Sequence, residues 1–212
     1  MNLPILHETN DWFVVNKPAQ LHTVNLKTSV NSLETEVLKV RPHQSSLPEA
    51  GIVHRLDFDT SGCVLIAKTK AAYETLVTSI RGSSEIQKAY WAIVNQKPAV
   101  TSFDFYFSSR YRGSKKVSAL TKGKESERGQ CLWKILFEDS INLVLEVQLV
   151  GGGQRHQIRA GLAKVGSPIL GDILYGGNPW PNGIALHARR LMVGGVLIEA
   201  PPPLYWPKTN SA

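Results

Sequence analysis

Residues 87–94 read QKAYWAIV. Ala89, Trp91 and Ile93 alternate with Tyr90, Ala92 and Val94, and a period of two belongs to a strand. Residues 103–107, 130–137 and 142–150 carry the same β-branched and aromatic character. These four segments follow one another with no helical stretch between them, which argues against a doubly wound sheet and for antiparallel neighbours. Outward from this block the pattern is mixed. Residues 11–16 form a short apolar strand that Lys17-Pro18 closes, because proline cannot continue a central ladder. Residues 30–40 have Leu33, Val37 and Val40 at helical spacing. Residues 41–48 are loop, 62–68 a buried strand, and 70–81 an amphipathic helix that Gly82 stops. Tyr73, Leu76, Val77 and Ile80 make the apolar face of that helix. The triple glycine 151–153 breaks the pattern, 154–165 is a helix, and 193–198 is a late strand. The expected class is α+β: one domain over residues 1–212, with a mixed, largely antiparallel central sheet flanked by helices and loops.

Composition narrows the partner. Of 212 residues, 42% are hydrophobic, enough for a core. The formal net charge is +7, an excess that suits a polyanion such as nucleic acid. Cys63 and Cys131 both sit in apolar runs and read as core residues, not as a disulfide or a metal site. The N-terminal stretch MNLPILHETND carries acids where a signal sequence needs an apolar core. No apolar stretch approaches the roughly 20 residues of a membrane span. A cytoplasmic location without membrane association is expected.

The chemistry concentrates in residues 51–62, GIVHRLDFDTSG. A protein kinase would place Asp directly after His-Arg, but Leu56 intervenes, and neither Asp-Phe-Gly nor a glycine-rich phosphate loop occurs. An aspartic protease needs two Asp-Thr-Gly turns; this chain has one Asp59-Thr60-Ser61-Gly62. No Gly-x-Ser-x-Gly elbow is present for a serine hydrolase. Asp59, Thr60 and Ser61 have the look of a turn that satisfies its own backbone donors. Asp57 does not, and it is the candidate reactive carboxylate.

A second cluster, Gln154-Arg155-His156-Gln157-Ile158-Arg159, follows the triple glycine. On a helix Arg155 and Arg159 share a face. Cations in a first turn oppose the helix dipole, so a phosphate or a buried carboxylate must compensate. Lys88-x-Tyr90 lies on the opening strand. Residues 108–129 form a basic arm or hairpin rich in Arg110, Arg112, Lys115, Lys116, Lys122 and Lys124, suited to sequence-independent phosphate contacts.

His54-Arg55-Leu56-Asp57-x-x-Thr60-Ser61-Gly62, then Lys88-x-Tyr90, then His156-Gln157-Ile158-Arg159, resembles the RluA family of pseudouridine synthases. The resemblance runs from Val14-Val15-Asn16-Lys17-Pro18-Ala19 through Pro168-Ile169-Leu170-Gly171-Asp172 and Leu186-His187-Ala188 to the Pro-rich tail. It implies a pseudouridine-synthase-like domain with its catalytic cleft across the sheet. The implied reaction is isomerisation of uridine to pseudouridine in structured RNA, tRNA or ribosomal RNA, without metal, organic cofactor or obligatory protein partner. By motif matching, Asp57 is the essential aspartate. Tyr90 is the tyrosine that stacks on the target base and assists proton transfer at C5, and Arg159 is the basic partner of the aspartate. A uridine must leave its stack to react, and Arg55 is suited to fill the vacated space. RNA contacts are expected from His54, Arg55, Lys17, Arg155, His156, Gln157, Arg110, Arg112, Lys115 and Lys116. The chain departs from the family in reading Gly153-Gln154-Arg155 where Gly-Arg-Thr is usual, and Gln20 where Gly is usual. The S4-type RNA-binding module that many relatives carry is expected to be absent, leaving recognition to the catalytic domain and the arm. The alternative is a catalytically inactive RNA-binding protein or RNA chaperone on the same scaffold.

Overall fold

The computed structural model describes residues 3–26, 31–82, 85–111 and 113–206. In chain order the first elements are β1 (Ile5–Glu8), β2 (Trp12–Lys17), α1 (Leu33–Val40), β3 (Ser61–Ala67), α2 (Lys70–Gly82) and β4 (Ile86–Val94). Then follow β5 (Ser102–Ser109), β6 (Val117–Leu120), β7 (Arg128–Glu138), β8 (Leu143–Val150), α3 (Gln157–Lys164), β9 (Leu186–Val193) and β10 (Val196–Glu199). This is the α+β class. The chain divides into two compact units, Met1–Gln87 with Ala188–Pro202, and Lys88–His187 with Pro203–Ala212.

In the first unit the strand order is β1-β2-β3-β9, with β10 on β9. Every residue of β3 is buried, as its unbroken apolar run SGCVLIA requires. Leu76 and Ile80 of α2 pack with Val14, Cys63, Leu65, Leu191 and Ile198 into one core cluster. α1 begins at Leu33 because the Ser32 hydroxyl accepts from Thr35 N at 3.1 Å, capping the helix there. Residue 30, where the helix was expected to start, lies outside the described residues. The late strand expected over 193–198 covers the turn of the β9–β10 hairpin and most of β10, Val196–Glu199. Gly194 and Gly195 adopt φ of +54° and +83°, the left-handed pair that a tight two-residue turn demands, and Val193 pairs with Val196 across it.

In the second unit the order is β4-β8-β7-β5-β6. The pairs β4–β8, β8–β7, β7–β5 and β5–β6 are all antiparallel, as the uninterrupted succession of strands predicts. The basic arm is a β-hairpin: β6 pairs with β5 from Tyr106↔Leu120 to Ser109↔Val117. Phe103 centres a ring cluster with Phe105, Phe107 and Trp133 at 5.3, 6.0 and 5.8 Å. Helix α3 lies directly on it: a Cβ on Gly161 would stand 2.1 Å from Phe103 Cζ. Ordinarily Gly→Ala in a helix gains about 1 kcal/mol. Here the sign reverses: urea unfolding of Gly161→Ala should show a loss of about 1–3 kcal/mol from overpacking, and a gain would contradict the packing described.

Candidate active site

Asp57 lies on the loop between a short 3-10 segment, Pro48–Gly51, and β3. The backbone is fixed on both sides of it. On one side Thr23 Oγ1 donates to Leu56 O at 2.8 Å and accepts from Leu56 N at 3.1 Å. On the other, Phe58 O accepts from Leu21 N at 3.3 Å and from Lys17 Nζ at 3.4 Å. The His22 and Phe58 rings pack 4.6 Å apart. Thr60 N donates to Asp57 O at 3.1 Å and closes the turn. Leu65 N donates to His54 Nε2 at 3.2 Å. A ring nitrogen that accepts is unprotonated, so this bond ties a neutral His54 to β3 and braces the loop. Arg55 is exposed and Asp57 half-buried.

Lys17 was expected to contact RNA. It is instead completely buried. Its ammonium donates to Pro18 O and Leu21 O, each at 2.8 Å, and to Phe58 O. Three N–H groups meet three carbonyls, so the side chain is a clamp beneath the Asp57 loop. Burial pulls its pKa down to about 7, and the charges of Asp57 and Asp59 oppose that shift. The expectation that Asp59 and Thr60 satisfy the turn through their side chains also changes. Thr60 is buried with no partner for Oγ1 among the described residues; the backbone bond Thr60 N to Asp57 O closes the turn.

In the second unit Tyr90 is buried on β4, paired with Val147 of β8. Helix α3 starts only at Gln157, because His156 takes a left-handed φ of +55°. Arg155 therefore sits in the preceding turn, not on the helix face it was expected to share with Arg159. Arg155 Nη2 donates to Ser114 O and to Lys115 O. Gln157 Nε2 donates to Gln130 O at 2.9 Å, while its Oε1 accepts from Gln154 N at 2.8 Å. His156 Nδ1 stands 3.0 Å from the Tyr175 hydroxyl. These three residues, expected at the RNA, carry bonds that lash the arm and β7 to the start of α3.

Arg159 is buried and bidentate on Asp172, Nε to Oδ2 at 2.7 Å and Nη2 to Oδ1 at 3.0 Å. This is the buried carboxylate that a cation in a first helical turn calls for. The guanidinium carbon also lies 5.3 Å from the centre of the Tyr175 ring. Tyr175 OH donates to Val117 O at 3.0 Å and accepts from Val117 N at 2.8 Å. Burial raises its pKa above the ordinary phenol value. Tyr175 was not foreseen; its only sequence signal is a lone tyrosine in the turn-rich run 171–177. Arg110, Lys115 and Lys116 are exposed on the arm, and Arg112 lies outside the described residues. Arg128 is neutralised by Asp104, at 2.5 Å, and by Glu125. Cys63 and Cys131 are buried thiols pushed up to about 12, hence inert.

Two solved structures share the fold. A human RNA pseudouridylate synthase domain containing 4 superposes with a TM-score of 0.75 over 95% of this chain and 89% of its own, at 21% identity. Its counterpart, domain containing 1, gives 0.65 at 22% identity, covering 95% of this chain and 83% of its own. A family model described as RNA pseudouridylate synthase matches residues 11–164. A ribosomal large subunit pseudouridine synthase D from Haemophilus ducreyi is 30% identical over 96% of this chain and 68% of its own. The Yersinia pestis and Xylella fastidiosa proteins of that name are both 32% identical, over 84% and 83% of this chain. The chain spans about half of those two relatives, 54% and 52%. On the family match and these identities, the chain belongs to the RNA pseudouridylate synthase family, isomerases that turn uridine into pseudouridine within RNA.

Removing Asp172 would take the bidentate carboxylate away from the buried Arg159 guanidinium, a loss of about 3–5 kcal/mol. Asp172→Ala should therefore lower the thermal unfolding temperature steeply, and Tyr175→Phe should lower it less. A Tm for Asp172→Ala equal to wild type would mean that the pair does not hold α3.

Proposed function

We propose that this chain isomerises specific uridines in structured RNA, with Asp57 as the essential carboxylate. Tyr90 stacks on the target base and assists proton transfer at C5, and Arg159 is the basic group that the carboxylate requires. The observation that carries this reading is the family match, which contains all three residues, together with the pinned backbone on both sides of Asp57. In the reaction the N1–C1′ bond breaks and a C5–C1′ bond forms. One proton leaves C5 and one is gained at N1, so nothing is oxidised or reduced and no redox cofactor is called for. Whether the aspartate attacks the sugar or the base, or removes a sugar proton, all three routes need an ionised carboxylate held still; the loop supplies that.

Both units act as one catalytic domain in this reading. The relatives' names favour large-subunit ribosomal RNA over tRNA as substrate, and with it a cytoplasmic location. Arg110, Lys115 and Lys116, exposed on the β5–β6 hairpin, are positioned for phosphates. Arg55, exposed beside Asp57, is suited to the space that the flipped uridine leaves. His54, Lys17, Arg155, His156 and Gln157 act on RNA indirectly, by shaping the loop and the arm.

The test is a pseudouridine map of total RNA from cells lacking the gene, complemented with wild type or with Asp57→Ala. A large-subunit site lost on deletion and restored by wild type alone is expected. If no site is lost, and uridine-containing transcripts are not modified, the scaffold is an RNA-binding protein without this activity.

A further inference from the structure

Lys88 stands two residues before Tyr90 on β4, so the two side chains leave the strand on the same face. It pairs in register with Leu149 of β8, as Tyr90 pairs with Val147. Only 6% of Lys88 is exposed. Among the described residues its ammonium makes no hydrogen bond and no ion pair, unlike Lys17, whose three donors all have acceptors. A mostly buried cation without an acceptor is costly, and an anion that arrives from outside would relieve that cost.

The direction of approach is given by the triple glycine. A Cβ built on Gly153 would stand 3.7 Å from Lys88 Nζ. Gly153 is itself exposed, as is Gly151, and nothing lies within 4 Å of a Cβ placed at Gly151. The ammonium therefore ends directly beneath an exposed turn that has no side chains to cover it. A side chain at 153 would stand against both Leu149 Cδ1, 3.5 Å from that Cβ, and the ammonium. Burial without a counter-charge brings the lysine down to about 8, a shift that an incoming anion would reverse.

We propose that Lys88 and the Gly151–Gly153 turn form a phosphate-binding site for the RNA backbone, on the Tyr90 face of β4. It rests on the reading of Tyr90 as the residue that meets the target base. The glycines let the backbone of the RNA come close, and the buried ammonium neutralises one phosphate. Lys88 would then set where the strand carrying the target uridine enters.

The experiment is fluorescence anisotropy with a labelled stem-loop transcript bearing loop uridines, titrated over a range of potassium chloride. Lys88→Met should weaken binding roughly tenfold and reduce the slope of log K against log salt by about one phosphate contact. Gly153→Val should weaken binding similarly with the lysine still present, and the double variant should be no worse than Lys88→Met alone. Thermal unfolding separates function from folding: a purely structural lysine would lower Tm when replaced, whereas Lys88→Met should keep or raise it. Unchanged affinity and salt slope in a folded Lys88→Met overturns the phosphate site, and so does a loss of turnover with unchanged binding. Asp57→Asn, incubated with the same transcript and scored for pseudouridine formed, keeps the two readings apart. If it still forms pseudouridine, the catalytic assignment fails, while the Lys88 binding data stand on their own.

Discussion

The ammonium of Lys17 is enclosed by protein beneath the loop that carries Asp57, and the conformation of that loop depends on this burial. Taking a lysine out of water costs several kcal/mol unless its donors are met. Pro18 O, Leu21 O and Phe58 O meet them. Two of these carbonyls belong to the segment that leaves β2, and the third belongs to the residue after Asp57. One side chain thus joins a strand end to the reactive loop, and Thr23 repeats the device on Leu56. The loop has no regular structure of its own to hold it. Side-chain bonds to its backbone supply the rigidity that a reacting carboxylate needs.

The second unit uses the same logic with opposite charge. Asp172 receives the fork of Arg159, the Tyr175 ring lies against that guanidinium, and the Tyr175 hydroxyl holds both backbone groups of Val117. Residues distant in sequence, α3, the 171–177 turn and the basic hairpin, are thereby bound into one cluster. The arm that presents Lys115 and Lys116 is anchored at its turn by Arg155 and at the start of β6 by Tyr175, while those two lysines stay exposed. Neighbouring residues thus divide between those that anchor the arm and those that stay exposed on it.

Much of this was legible in the sequence. The apolar and aromatic character of 87–94, and the absence of helix up to residue 150, were enough to place four antiparallel strands, although β4 is buried on both faces from Tyr90 to Val94. The buried run of β3 and the apolar face of α2 were equally plain. Three strands were not: β1, ILHE, is four residues of which two are polar. β9, LHARRLMV, carries a histidine and two arginines that interrupt its apolar run, and β6 is four residues among lysines and glycines. The chemistry-bearing motif located Asp57, Tyr90 and Arg159 as candidates, but it could not tell a cation that faces RNA from one turned inward. Lys17, Arg155 and Gln157 find their acceptors in carbonyls, and a carbonyl belongs to every residue, so sequence leaves no trace of which one is used. Tyr175 reaches Val117 across 58 positions, a separation at which local pattern carries no information.

In the proposed assignment Asp57 is the reacting carboxylate and Asp59, two residues later, is a bystander whose carboxylate makes no hydrogen bond among the described residues. Isomerisation expels the hydrogen at C5, so the most direct measurement is tritium release from a large-subunit ribosomal RNA transcript whose uridines are tritiated at C5. Wild type should release tritium, folded Asp57→Asn should release none, and Asp59→Asn should retain most of the activity. Release by Asp57→Asn at the wild-type rate, or loss of release confined to Asp59→Asn, would contradict it.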